Sequence, residues 1–136
     1  MLCLMRLFTG LSLPPTITRT MEGLLSELRA AARLRWTPAE NLHITSKFIG
    51  EWPDARLPEL EQALAAMDPP GEFEVTVARF GFLPNPHLPK IFFAGVHGEA
   101  GLEALARRID ATLAELGVKC EERPYTPHVT LARIGI

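Results

Sequence analysis

The pattern His-x-Thr occurs twice in this chain, as His43-Ile44-Thr45 and as His128-Val129-Thr130, far apart in sequence. Each copy lies in a short apolar run that predicts a β-strand. Side chains two apart on a strand share a face and stand about 6–7 Å from one another. Each copy therefore offers an imidazole and a hydroxyl side by side, a grip suited to one phosphate group. Two such grips facing each other supply two proton-transfer groups and two hydroxyl donors. Opening a cyclic phosphodiester needs a base for water, an acid for the leaving ribose oxygen, and donors for the charge on the phosphorus oxygens. Histidine suits both proton roles because its ordinary pKa lies near neutrality. The hydroxyls of Thr45 and Thr130 would donate to the non-bridging oxygens. The expected pH–rate profile is bell-shaped, and no metal is required.

A single His-x-Thr is a common accident, and a lone strand histidine is usually structural. Two copies are another matter, since each follows a proline-containing connector: Arg35-Trp36-Thr37-Pro38 before the first and Arg123-Pro124-Tyr125-Thr126-Pro127 before the second. Three flanking residues are further candidates. Arg133 lies five positions after His128, and strict alternation turns it away from the His128 and Thr130 face. Arginine is nevertheless a natural partner for a phosphate or a base. Lys47 shares the face of His43 and Thr45, and either draws in phosphate or snorkels at the surface. Phe48 has the opposite parity to His43 and reads as core. His87, in a proline-rich loop, and His97, at a strand end, read as surface residues.

The elements that must hold these groups follow from hydrophobic periodicity and from proline and glycine punctuation. Met5 to Leu13 reads as a strand ended by Pro14-Pro15, with Met1 to Leu4 a short extension. Thr16 to Leu34 reads as a helix, and Leu42 to Ile49 as the first motif strand, ended by Gly50. Leu57 to Met67 has helical spacing with Pro58 near its start. Phe73 to Phe82 alternates as a strand. Pro84 to Pro89 is a stiff loop, and Lys90 to His97 is an apolar strand. Gly101 to Leu116 carries a helical stripe that Gly117 stops. Val118 to Glu121 is a short strand candidate, and His128 to Ile134 is the second motif strand. Helix, connector and motif strand thus recur in the same order, which suggests a duplicated framework within a single domain spanning residues 1–136.

The chain has 136 residues, 47% hydrophobic and 22% charged, with a formal net charge of -2. A protein that grips long nucleic acid through its backbone usually carries a positive field. The composition therefore favours a small or terminal phosphate target over a duplex. Cys3 and Cys120 are too few for a disulfide framework and lack metal-ligand spacing, so they read as free thiols in a reducing cytoplasm. The apolar start is interrupted by Arg6 and is too short to span a membrane.

With these residues in hand, the chain resembles the two-histidine phosphoesterase superfamily, and within it the LigT-like RNA 2′,3′-cyclic phosphodiesterases, also called 2′-5′ RNA ligases. The likeness runs through Met5-Arg6-Leu7-Phe8, Arg35-Trp36, Glu40 to Thr45, Lys47 to Gly50, Phe80 to Pro84 and Arg123 to Arg133. It implies an α+β fold of two pseudo-symmetric lobes, with antiparallel sheets lining a central cleft and helices packed outside. It implies metal-independent opening of a 2′,3′-cyclic phosphate at an RNA end to a 2′-phosphomonoester, with 2′-5′ ligation as the reverse, and no cofactor. Carried over by position, His43 would protonate the leaving 3′ oxygen and His128 would activate water. Thr45, Thr130 and Arg133 would hold the phosphate, and Phe48 would stack on the terminal base.

Two departures stand out against the family pattern. Ser46 occupies a position usually held by a bulky aliphatic residue, which predicts a small loss of packing. Family members also usually continue beyond the second motif. A monomer is expected, and the short end predicts an open sheet edge, with lower stability or, as the alternative, pairing of that edge with another copy. The competing readings are a non-catalytic RNA-end binding protein that keeps the pocket, and a two-histidine metal site. The latter has no carboxylate beside either histidine.

Overall fold

The computed structural model describes residues 3–98 and 100–135. The strands are β1 (Leu4–Ser12), β2 (Arg35–Trp36), β3 (His43–Pro53), β4 (Val75–Leu83), β5 (Ile91–Gly98) and β6 (His128–Arg133), and the helices are α1 (Pro15–Ala31), α2 (Leu57–Ala66) and α3 (Ala100–Ala114). The strand order is β1-β3-β6-β5-β4, with β2 beside β6. This is a mixed helix and antiparallel-sheet architecture. The two motif strands are hydrogen-bonded neighbours in it.

The chain forms two compact units. One comprises Met1–Gly10, Thr45–Thr76 and Gly98–Thr126; the other comprises Leu11–Ile44, Val77–His97 and Pro127–Ile136. In the first unit, α3 turns Leu102, Leu105, Ile109 and Leu113 inward, as their spacing predicts, together with Ala106; Leu116, the last residue of the expected stripe, lies beyond the helix end and is half-buried. It packs against α2, which buries Leu60. In the second unit, α1 begins at Pro15, where the missing N–H of proline costs nothing, and buries Met21 and Leu25. Arg29 of α1 bonds Glu22 and reaches the carbonyl of Thr37, tying the helix to the connector behind it.

Three expectations change. Arg35-Trp36 is not only a connector: it forms β2, too short for any periodicity to announce. Gly50, with φ of 87°, does not end the first motif strand, which runs on to Pro53. Val118 to Glu121 forms no strand, because side chains take its backbone groups. Lys47 Nζ donates to the carbonyl of Lys119, and the Glu121 N–H donates to Asp110. Among the described residues no helix is long and apolar enough to cross a membrane, and both Cys3 and Cys120 are free and exposed. The expectations about Met1, Leu2 and the final residue Ile136 lie outside the described residues.

Candidate active site

The second unit is organised around β6. Along one edge β5 runs antiparallel, with Gly95 opposite His128, Ala94 opposite Val129, Phe93 opposite Thr130, Phe92 opposite Ala132 and Ile91 opposite Arg133. Consecutive Phe92 and Phe93 thus face Ala132 and Thr130, so Leu131 is an extra residue and β6 carries a bulge. The other edge of β6 takes β3, with Ile44 opposite Val129, and β2, with Trp36 opposite Ala132 and Arg35 opposite Arg133.

Directly opposed residues share a face of the sheet. Ile44 and Val129 are 2% and 0% exposed, so their face looks into the core. His43, His128 and Thr130 are half-buried on the other face. With Ile44 opposite Val129, antiparallel counting sets His43 opposite Thr130. His128 is then the diagonal neighbour of His43, about 7–8 Å away. That spacing lets two imidazoles flank one phosphorus atom.

The bulge also decides where Arg133 points. Phe93 and Ile91 are two apart in β5 and share a face; one is opposite Thr130 and the other opposite Arg133. Arg133 therefore returns to the face of His128 and Thr130, and it is exposed. Strict alternation gives the opposite answer because it cannot count a bulge.

Each histidine has a support. The short 3₁₀ turn Ala39–Asn41 ends just before β3, and His43 Nδ1 lies 2.7 Å from the Asn41 carbonyl. A carbonyl can only accept, so Nδ1 carries a proton and Nε2 is the nitrogen that exchanges one. His128 has the ring of Phe93 edge-on at 5.5 Å between centroids, with 63° between the planes. Phe93 is held against Gly81, where an added Cβ would sit 2.6 Å from the ring. Gly95, opposite His128, has no room for a side chain: an added Cβ would meet the Ala78 carbonyl at 2.9 Å and His97 Nε2 at 3.3 Å. His97, a surface residue by its sequence position, thus aims its ring at the rung of His128. Neither Phe93 nor Gly81 has a chemical type that would single it out in the sequence.

Replacing Gly81 with Ala is expected to displace the Phe93 ring and cost about 1–3 kcal/mol of stability through overpacking. Activity on a cyclic phosphate should fall by about tenfold at a temperature where the variant is fully folded, because a misplaced catalytic group loses rate steeply. Full activity in a folded Gly81→Ala variant would show that Phe93 does not position His128.

The first unit holds the remainder of the first motif. Thr45 is half-buried, and its carbonyl accepts a 2.8 Å hydrogen bond from the hydroxyl of Tyr125 in the second connector. Burial pushes the Tyr125 phenol up to about 12. The folded chain therefore resists an ionisation that the unfolded chain undergoes near pH 10. This part of the stability is complete below pH 10 and is lost as pH rises toward 12. Tyr125→Phe is expected to cost about 1 kcal/mol at pH 7 and to flatten this alkaline loss, which urea unfolding at several pH values would measure.

Lys47 is not where the sequence puts it. Its side chain is 4% exposed, and Nζ lies 2.5 Å from Asp110 Oδ1 and 2.7 Å from the Lys119 carbonyl. The ammonium does not snorkel at the surface; it bonds groups inside the unit. Ser46 is buried too, and its hydroxyl pairs with that of Thr9 at 2.7 Å. Phe48 is 54% exposed, with the Arg6 guanidinium 5.5 Å from its ring centroid. It is a surface ring and not core. Burial along His43 to Phe48 and along His128 to Arg133 runs in the same order, with Phe48 and Arg133 both exposed.

A family model for LigT-like phosphoesterases matches residues 11–93 and 96–136, which include both motifs. The chain belongs to this family. Curated relatives of this LigT-like chain include an Archaeoglobus fulgidus protein, 30% identical over 96% of this chain and 73% of its own. A Thermus thermophilus protein is 31% identical over 95% of this chain and 68% of its own. Both are named RNA 2′,3′-cyclic phosphodiesterase. Among solved structures, the LigT-like fold aligns with a Thermus thermophilus protein at a TM-score of 0.80 and 29% identity, covering 95% of this chain and 74% of that one. E. coli LigT complexed with NADP+ aligns at 0.71 and 27%, covering 94% and 71%.

Proposed function

We propose that this LigT-like phosphoesterase opens 2′,3′-cyclic phosphates at RNA ends to 2′-phosphomonoesters, using its two histidines and no metal. The observation that carries the reading is the β3–β6 register, which sets His43, His128 and Thr130 on one half-buried face. Water attacks phosphorus as Nε2 or Nδ1 of His128 takes its proton. The P–O3′ bond breaks, and His43 Nε2 delivers a proton to O3′. The product has a free 3′ hydroxyl and a 2′-phosphate. Thr45 and Thr130 donate to the non-bridging oxygens, and Arg133 offsets their charge. Phe48 offers an exposed ring for the terminal base. Run in the same direction with a 5′ hydroxyl of a second RNA in place of water, the same steps give a 2′-5′ link.

The names of the relatives support the substrate class. So does the NADP+ complex of E. coli LigT, since that ligand is a nucleotide. The test is incubation with an oligonucleotide ending in a 2′,3′-cyclic phosphate, in excess chelator, with product analysis. Full turnover to the 2′-phosphate is expected. A 3′-phosphate product, or turnover that disappears with chelator, would overturn the reading.

A further inference from the structure

We infer that Arg35, beside Arg133, forms a second anion subsite that takes the internucleotide phosphate next to the reacting end of an RNA strand. The inference rests on the phosphodiesterase reading above and adds to it a substrate class, oligonucleotides over mononucleotides. Arg35 and Arg133 are directly opposed across the β2–β6 pair, and both are exposed. Opposed residues share a face, so Arg35 stands on the face of His43, His128 and Thr130.

The inner face agrees with this orientation. Trp36 pairs with Ala132 and sets its ring edge-on to Phe92 at 6.1 Å, and Ala132 is buried. The indole N–H of Trp36 donates to the Ala32 carbonyl, and the Thr37 N–H donates to the Leu131 carbonyl at 2.8 Å. With Trp36 held inward, its neighbour Arg35 must point outward. The rung of Arg35 and Arg133 lies two β5 residues from the rung of His43 and Thr130, about 6.6–6.8 Å along the sheet. That is one step beyond the phosphate the histidines would flank.

Two like charges directly opposed on a sheet are unfavourable unless something negative joins them. Among the described residues no carboxylate pairs with either arginine. The planar guanidinium fork of Arg35, on the same face as Arg133, matches the oxygens of a phosphodiester next to the phosphate that Arg133 would hold. The overall charge of -2 argues that the partner is a local phosphate and not a long duplex.

The test compares wild type with Arg35→Ala and Arg35→Lys on two substrates: a nucleoside 2′,3′-cyclic phosphate with a 5′ hydroxyl, and a tetranucleotide ending in a 2′,3′-cyclic phosphate. Arg35→Ala is expected to lower kcat/KM about tenfold more on the tetranucleotide than on the mononucleotide, mainly through KM. The slope of log kcat/KM against log salt should also fall by about 0.7 for the tetranucleotide. Arg35→Lys should recover part of the loss. An equal loss on both substrates would overturn the inference by placing Arg35 at the reacting phosphate, and no loss on either would make the pair a solvated surface. If wild type turns over neither substrate, the phosphodiesterase reading fails by itself. Binding of a fluorescent tetranucleotide bearing a 3′-terminal phosphate, to wild type and to Arg35→Ala, still reads the subsite in that case. Weaker binding to the variant supports it and equal binding overturns it.

Discussion

Replacing His128 with alanine is expected to lower kcat/KM on a 2′,3′-cyclic phosphate by about a hundred- to ten-thousandfold, the span that a positioned acid or base contributes. His43→Ala should do the same. Both residues are half-buried on the outer face of the sheet, while Ile44 and Val129 carry the packing beneath them. Thermal unfolding should therefore move little in either variant. The two losses should differ in pH dependence. Without the base His128, the rising limb of the bell-shaped profile disappears; without the acid His43, the falling limb disappears. The opposite pairing would exchange the two roles. Variants that keep wild-type turnover would remove the two-histidine mechanism. A wild-type chain that binds the cyclic end without turning it over would be an RNA-end binding protein.

Replacing Lys47 with alanine is expected to be the most destabilising of these substitutions, at about 3 kcal/mol. Breaking a buried ion pair from one side typically costs about 3–5 kcal/mol, because the remaining charge loses its partner. The lower end applies because Asp110 keeps 23% of its side chain exposed. Burial alone would raise the Asp110 pKa. The hydrogen bond and charge of Lys47, with the Glu121 N–H, outweigh it and hold the carboxyl below its ordinary value. A carboxylate with a lowered folded-state pKa contributes stability that is complete above its ordinary range and is lost as pH falls through the lowered value. The gap between wild type and Lys47→Ala should accordingly narrow as pH falls below about 4. Urea unfolding across this range measures it. A constant gap would show that the loss comes from packing and not from the ion pair. A double variant, Lys47→Met with Asp110→Asn, should recover much of the stability, since no charge is then left without its partner.

The contrast between Lys47 and the histidines shows what a sequence can carry. His43 and Thr45 are legible because the strand period of two is local, and the residue types state their own chemistry. Lys47 shares their parity, and parity alone places it with them. Its fate depends on Asp110, 63 positions away, and on a carbonyl 72 positions away. Ser46 is a similar case: a hydroxyl at an aliphatic position reads as a defect until Thr9, 37 positions distant, supplies its partner.

Arg133 escapes a sequence reading for another reason. Alternation is a rule for regular strands, and the bulge at Leu131 is a property of pairing with β5. β2 is hidden by its length, since two residues have no period. Its pairing nevertheless brings Arg35 onto the face of the histidines.

The sequence by itself therefore determined the candidate chemistry: two imidazole–hydroxyl pairs on strands, helices at the right places, and membership of a family through the motif flanks. These follow from residue types and from periods no longer than a turn of helix, which any single segment can display. Tertiary structure decided which residues share the face of that chemistry and which are consumed inside. Strand register, a bulge and a buried ion pair each need two segments to meet, and a linear chain carries no local mark of where its distant partner will be.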